Sequence, residues 1–328
     1  MNAGDERRLA AGLLCVGFPG PQLDEPTRSL LRGGAAGVIL FTRNWEDCAQ
    51  IRALAADVTA AAGRRVIVAV DHEGGRVQRF RGPGFTDLPP MRLVGAGGDP
   101  SMAEAMGATA ARELRAVGIT LDFAPVLDVD SNPANPVIGD RSFGRAPEVV
   151  AAMGAAFVRG LQGGGVAGCG KHFPGHGDTE QDSHLDLPRL PHDAERLRRV
   201  ELPPFRAAIQ AGVASIMTAH VVFQAVDPDV PATMSRRVLQ DILRGELGFR
   251  GAIVSDDLEM KAIADRMDLG EAALRAVEAG VDLLLCCHEA ARQERIVAAL
   301  AEAIASGRLP EARVRESLAR IQPLAGTA

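Results

Sequence analysis

The chain is 328 residues long, 47% hydrophobic and 24% charged, and its 36 Lys and Arg against 42 Asp and Glu leave a net charge of −6. That composition excludes a disordered, collagenous or disulfide-dense chain, and without a Lys/Arg-rich run interleaved with aromatics it offers no footprint for nucleic acid. No window holds the ~18 consecutive apolar residues that cross a bilayer, so no membrane partner is expected.

Near the start, Asp5 and Glu6 precede the apolar stretch Leu9 to Phe18, and Leu14 stands where cleavage before Cys15 would require a small residue. The stretch therefore reads as part of the fold and not as a secretion signal. The cysteines are five, Cys15, Cys48, Cys169, Cys286 and Cys287, an odd number in apolar or mixed surroundings. Reduced, buried thiols of a cytoplasmic protein are expected.

Short apolar runs bounded by Gly or polar residues recur at Gly12–Phe18, Ala35–Phe41, Val66–Val70, Ile119–Pro125, Val166–Lys171, Val213–His220, Ala252–Asp256 and Val281–Cys286. They are too short for helices and read as buried strands. Helical signals lie between them. Ser101 with Glu104 reads as a capping box, Met102, Met106, Ala110, Leu114 and Val117 recur at helical spacing, and Gly118 ends the segment. A second helix begins at Ser235, presents Val238, Leu239, Ile242, Leu243 and Leu247 on one face, and closes at Gly248. Apolar strands alternating with helices predict a parallel sheet covered on its outside, and eight units predict a closed barrel. The expected architecture is α/β, one (β/α)8 TIM-type barrel domain over residues 1–328 with long βα loops. Two such loops stand out, the Gly- and Pro-rich Asp71–Pro100 and the histidine-bearing Lys171–Pro191.

In a parallel barrel the chemistry gathers at the carboxyl ends of the strands. The polar residues there are Asp71, Asp122, Asp128, Lys171, His172, His220, Asp256 and Asp257. Asp256 suits a nucleophile or an ion-pair partner, while one of Asp256 and Asp257 is expected to cap the following helix. DHEGGRVQR, Asp71 to Arg79, sets a carboxylate and two arginines around a Gly-Gly turn, and Arg141 in IGDRSF is a further cation able to seat hydroxyls. GKHFPGHGDTEQDSH, Gly170 to His184, holds a cation, three histidines and several carboxylates. Asp182 and His184 suit an acid/base pair in which the carboxylate orients the imidazole. The same loop leaves open a zinc set of His172, His176 and His184 with Asp178 or Asp182, although Pro174 and Gly175 break the shared helical face that such sites use. Gly163 to Gly168 matches GxGxxG but precedes a strand, which sets it aside as a dinucleotide loop.

DHEGGRVQR, NPVIGDRSFG, KHFPGHGDTEQDSH and VSDDLEM, in this order, closely resemble glycoside hydrolase family 3, in particular its single-domain bacterial β-N-acetylglucosaminidases of peptidoglycan recycling. The resemblance implies a retaining mechanism with Asp256 as the nucleophile and Asp182 and His184 as the acid/base dyad. By the same resemblance Asp71, Arg79, Arg141, Lys171 and His172 bind the hydroxyls and N-acetyl group of a terminal GlcNAc. The implied partner is a small carbohydrate, GlcNAc linked to 1,6-anhydroMurNAc with or without a stem peptide, and the expected state is a monomer needing no metal or other cofactor. With no Tyr and only Trp45 beside eleven Phe, sugar recognition is expected to rest on polar clamps. The alternatives are a metal-dependent barrel hydrolase using the histidine-rich loop, phosphorolysis in place of hydrolysis, and a sugar-binding protein without turnover.

Overall fold

The structure, a computed structural model, describes residues 3–180 and 186–326. Eight short parallel strands pair in chain order and close on themselves. They are β1 (Leu14–Val16), β2 (Gly37–Leu40), β3 (Ile67–Val70), β4 (Leu121–Asp122), β5 (Ala167–Phe173), β6 (Ser215–Thr218), β7 (Ala252–Asp257) and β8 (Leu283–Cys286). Each falls within or overlaps one of the apolar runs, and β1 seals the barrel by pairing Leu14 with Leu284 and Val16 with Cys286.

The strands are fully apolar where helices cover them outside and side chains fill them inside, as a parallel barrel requires. Six of the eight are shorter than their runs because pairing stops before hydrophobicity does, while β5 and β7 extend past theirs. Of Ile119–Pro125 only Leu121 and Asp122 are paired in the sheet. Among the covering helices, Pro100–Ala116 starts two residues earlier than its capping-box signal. Asp99 is the cap, accepting from the Ser101 amide at 2.9 Å, and Pro100 follows at the first helical position. Met102 correspondingly faces solvent, and Ala103, Gly107, Ala110, Ala111 and Leu114 form the buried face. The helix after β6 runs from Arg237 to Glu246, with Ser235 Oγ accepting from the Val238 amide.

Two irregularities in the ladder matter for the site. Between β7 and β8 the register passes from Val254 opposite Leu283 to Asp257 opposite Leu285, so Ser255 and Asp256 oppose a single residue. Between β5 and β6 it passes from Gly170 opposite Ile216 to Phe173 opposite Thr218, so Lys171 and His172 do the same. Both are one-residue bulges at the carboxyl ends of the strands, and a bulge re-aims the side chains it contains.

Cys15, Cys169, Cys286 and Cys287 are buried, as expected, but Cys48 is half-buried at a helix start with its Sγ 3.3 Å from the Pro83 carbonyl. Among the described residues no helix is long and apolar enough to cross a membrane.

Candidate active site

The carboxyl ends of the strands surround a cavity of about 510 Å³. Its lining includes Asp71, Arg79, Arg141, Lys171, His172 and Asp256, six of the residues singled out in the sequence. Asp182 and His184 lie outside the described residues.

The floor is built by alternation along one strand end. Asp71 and Glu73 are two residues apart and so face the same way. Lys171, from the β5 bulge, places its Nζ 2.6 Å from Asp71 Oδ1 and 2.6 Å from Glu73 Oε1. Arg79 reaches Asp71 Oδ2 at 3.3 Å, and Arg141 grips Glu73 through two bonds of 2.8 Å. Glu73 is almost wholly buried and is the central member that strand-end reasoning overlooked. Burial alone would raise its carboxyl, but Arg141 and Lys171 outweigh that and hold it well below the carboxylate range. Asp71 is likewise lowered by Lys171 and Arg79 against its burial, and the same carboxylates raise the Lys171 ammonium despite its own burial. The floor is therefore a fixed lattice of charges, with Arg141 fastened to Glu73 while still bordering the cavity.

The Gly-Gly of the DHEGG segment is needed where it stands. Gly74 and Gly75 turn a small hairpin at φ of 98° and 56°, and a Cβ on Gly75 would lie 2.8 Å from Pro90 Cα. Gly177 needs its missing Cβ for closeness alone, since one there would come within 1.7 Å of the Val129 carbonyl oxygen.

His172 is fixed from below by Asp128, whose Oδ2 lies 2.7 Å from its Nδ1 and whose other oxygen accepts the His176 amide at 2.7 Å. His176 also lines the cavity, with its Nδ1 2.8 Å from Thr179 Oγ1. Burial and neighbouring His172 push its imidazole down to about 4, so at neutral pH it is a hydrogen-bonding group and not a proton store. Of the residues named for a zinc set, His184 and Asp182 lie outside the described residues. His172 and His176 are engaged as described, Asp178 pairs with His192 and Arg196, and among the described residues no cluster of three or more His, Cys, Asp or Glu could hold a metal ion.

The adjacent aspartates diverge. Asp256 borders the cavity, and its Oδ1 accepts the Asp257 amide at 2.8 Å. Asp257 Oδ1 accepts the amides of Glu259 and Cys287, and its Oδ2 lies 3.4 Å from His288 Nε2. It thus holds the turn after β7 to the end of β8, whereas the helix that follows, Lys261–Ala264, starts from Met260 without a side-chain cap, so neither aspartate is the helix cap expected of the pair. His288, a residue the sequence reading passed over, stacks on Phe41, and its imidazole is raised by the bond to Asp257.

Two strand-end candidates turn out to support the site from behind. Asp122 is fully buried, accepts the His72 amide at 2.9 Å, and is pushed up to about 8 by burial. His220 is buried between Thr233 Oγ1 and the Asp257 carbonyl, at 2.7 and 3.0 Å. Trp45 packs against Phe80 and Phe85, away from the cavity lining, and Phe41 is the aromatic at the rim, with Arg43 over its face.

Relatives with the same fold are readily found. The chain is 43% identical over 299 residues to a protein of Thiobacillus denitrificans named beta-hexosaminidase, covering 89% of this chain and 82% of that one. A glycoside hydrolase family 3 beta-N-acetylglucosaminidase from Paenibacillus superposes with a TM-score of 0.94 at 45% identity, over 97% of this chain and 61% of that longer one. NagZ from Neisseria gonorrhoeae, solved in complex with N-trifluoroacetyl-D-glucosamine, superposes with a TM-score of 0.79 at 37% identity, over 96% and 98% of the two chains. With residues 13–324 also matching the glycosyl hydrolase family 3 N terminal domain, the chain belongs to glycoside hydrolase family 3.

Proposed function

We propose that the protein is a retaining β-N-acetylhexosaminidase that removes non-reducing terminal, β-1,4-linked GlcNAc from peptidoglycan fragments of the GlcNAc-1,6-anhydroMurNAc type. Family membership and the relatives named beta-hexosaminidase support glycosidic chemistry on hexosamines. The single observation that carries the reading is the placement of Asp256 on a bulge at the cavity wall, opposite a floor of fixed charges able to hold a sugar.

In this reading the terminal GlcNAc lies over the floor. Asp71, Arg79, Lys171, His172 and Arg141 exchange charge-assisted hydrogen bonds with its hydroxyls and N-acetyl group. The Asp256 carboxylate attacks the anomeric carbon as the bond to the glycosidic oxygen breaks. His184 gives that oxygen its proton, Asp182 steadies the imidazolium character, and a glycosyl ester on Asp256 results. Water then attacks the same carbon, His184 takes a proton from it, and Asp256 leaves as carboxylate. Two inversions at one carbon preserve the β configuration.

The test is release of nitrophenol from aryl β-GlcNAc and aryl β-glucoside, with and without EDTA, by wild type and Asp256→Ala. EDTA-insensitive release from the GlcNAc glycoside that vanishes in Asp256→Ala is the expected result. Undiminished turnover in the variant, or loss on chelation, would overturn the mechanism. Replacing part of the water by phosphate and looking for GlcNAc-1-phosphate separates hydrolysis from phosphorolysis.

A further inference from the structure

The ladder between β7 and β8 ends with Asp257 opposite Leu285, and at the bulge and beyond it side chains take over the pairing. The Leu285 amide donates to Ser255 Oγ at 3.0 Å and the Cys287 amide to Asp257 Oδ1 at 3.3 Å. The next two amides of the same stretch, those of His288 and Glu289, both go to Glu259, at 2.6 Å to Oε2 and 3.1 Å to Oε1. The three acceptors are every second residue, and between the first two stands Asp256, which borders the cavity. The Glu259 side chain also lines the cavity but is only 4% exposed. Arg292 Nε, itself 2.9 Å from Glu289, comes no nearer to it than 3.9 Å. The partners of this buried carboxylate are therefore backbone amides more than a counter-ion. Those amides lead into the helix Ala290–Ala305, so Glu259 fastens the turn after β7 to the start of that helix.

We propose that Glu259 is a positioning residue for the nucleophile: its carboxylate, together with that of Asp257, ties the chain carrying Asp256 to the end of β8 and so fixes where the Asp256 carboxylate stands at the cavity wall. The inference rests on the reading of Asp256 as the nucleophile. The connection between them is short and bonded throughout. Asp256 Oδ1 accepts the Asp257 amide at 2.8 Å, and Asp257 Oδ1 accepts the Glu259 amide at 3.1 Å, which makes residues 256–259 one unit. Charge-assisted bonds from two consecutive amides to the two oxygens of one carboxylate set direction as well as distance. The charges that hold the sugar, on Asp71, Glu73, Arg79, Arg141 and Lys171, are fastened to one another and not to this unit. Loosening Glu259 should therefore slow attack without loosening the sugar. A misplacement of about 1 Å in a reacting group is enough to cost ~100-fold in rate.

The experiment sets kcat/KM for 2,4-dinitrophenyl β-GlcNAc beside the inhibition constant of free GlcNAc. The dinitrophenolate leaves without a proton, so the rate reports nucleophilic attack, while inhibition by GlcNAc reports binding on the floor. Glu259→Ala is expected to lower kcat/KM by ~10–100-fold with the inhibition constant within ~3-fold of wild type. Glu259→Gln keeps one accepting oxygen and should lose only ~3–10-fold. An unchanged kcat/KM in the folded alanine variant, or an inhibition constant that rises in step with the loss of rate, would overturn the proposal. Thermal unfolding of each variant reports folding. Should Glu259→Ala not fold, Glu259→Gln carries the comparison, and an unchanged kcat/KM there overturns the proposal equally. A wild type without turnover, or undiminished turnover in Asp256→Ala, would instead overturn the reading of the nucleophile beneath it.

Discussion

Glu73→Gln isolates the part of the site that the structure makes most expensive to disturb. The carboxylate is 1% exposed and answers two cations at once, Arg141 through two bonds of 2.8 Å and Lys171 at 2.6 Å. Glutamine keeps the shape but turns an amide N–H toward one of those cations and leaves the guanidinium without its counter-charge. Breaking a buried ion pair from one side costs ~3–5 kcal/mol. With an unfolding entropy of ~2.1 cal/mol/K per residue, about 0.7 kcal/mol/K for a chain of this length, that loss corresponds to a Tm lower by ~4–7 °C. The pH dependence has a definite sign. Because the folded carboxyl is lowered from its ordinary value of 4.5, its stabilisation is present above that value and is lost as the pH falls through the folded one. Calorimetry should therefore find the gap between wild type and variant constant from pH 6 to 8 and narrowing only in strong acid. The double variant Glu73→Gln with Arg141→Gln should recover part of the Tm, since no guanidinium is then stranded. A Tm within 1 °C of wild type at pH 7, or a double variant worse than the sum of the singles, would refute this account of the floor.

Asp71→Asn, which weakens the hold on both Lys171 and Arg79, is expected to lower kcat/KM for an aryl β-GlcNAc by ~100-fold or more, read from initial rates, with a smaller Tm loss than Glu73→Gln. Asp282 is fully buried against Arg244 at 2.7 Å, Arg313 at 3.1 Å and Arg320 at 3.2 Å, so Asp282→Asn should lower stability by ~3–5 kcal/mol in urea titrations. The same variant should leave kcat of the folded enzyme unchanged, because that cluster binds the last long helix to the opposite end of the barrel from the cavity. His288→Gln should lower Tm slightly at pH 6 and not at pH 9. A histidine raised by Asp257 stabilises the fold below its ordinary value of 6.5 and ceases to as the pH rises past the folded one, and its half-exposed ring keeps the effect small.

The barrel was legible in the sequence because buried parallel strands need apolar residues on both faces, and eight such runs carry that requirement openly. Strand ends were less so. Hydrophobicity in Ile119–Pro125 continues beyond the two paired residues, since Phe123 and Ala124 are as fully buried as the strand residues before them. The true cap of the helix after β3 had a signal, Asp99 before Pro100, which the later Ser101 and Glu104 obscured. Polar strand ends marked the neighbourhood of the cavity but could not tell wall from support. Asp122 and Asp256 look alike in sequence, yet one props the His72 amide from behind and the other borders the cavity. Glu73 could have been found from its two-residue offset from Asp71, which puts both on one face. His288 could not, because its place depends on how the end of β8 meets Phe41.

The two bulges on β5 and β7 carry a lesson for anyone wishing to move this chemistry elsewhere. Each inserts one extra residue where the neighbouring strand has none, and the inserted pairs are Lys171 with His172 and Ser255 with Asp256. Grafting those identities onto a regular barrel would send one member of each pair to the wrong side, because a strand without the insertion alternates strictly. Deleting one residue from either strand would have the same result with every side chain still chemically present. What a designer would have to copy is the miscounted ladder itself, and only then the amino acids that it displays.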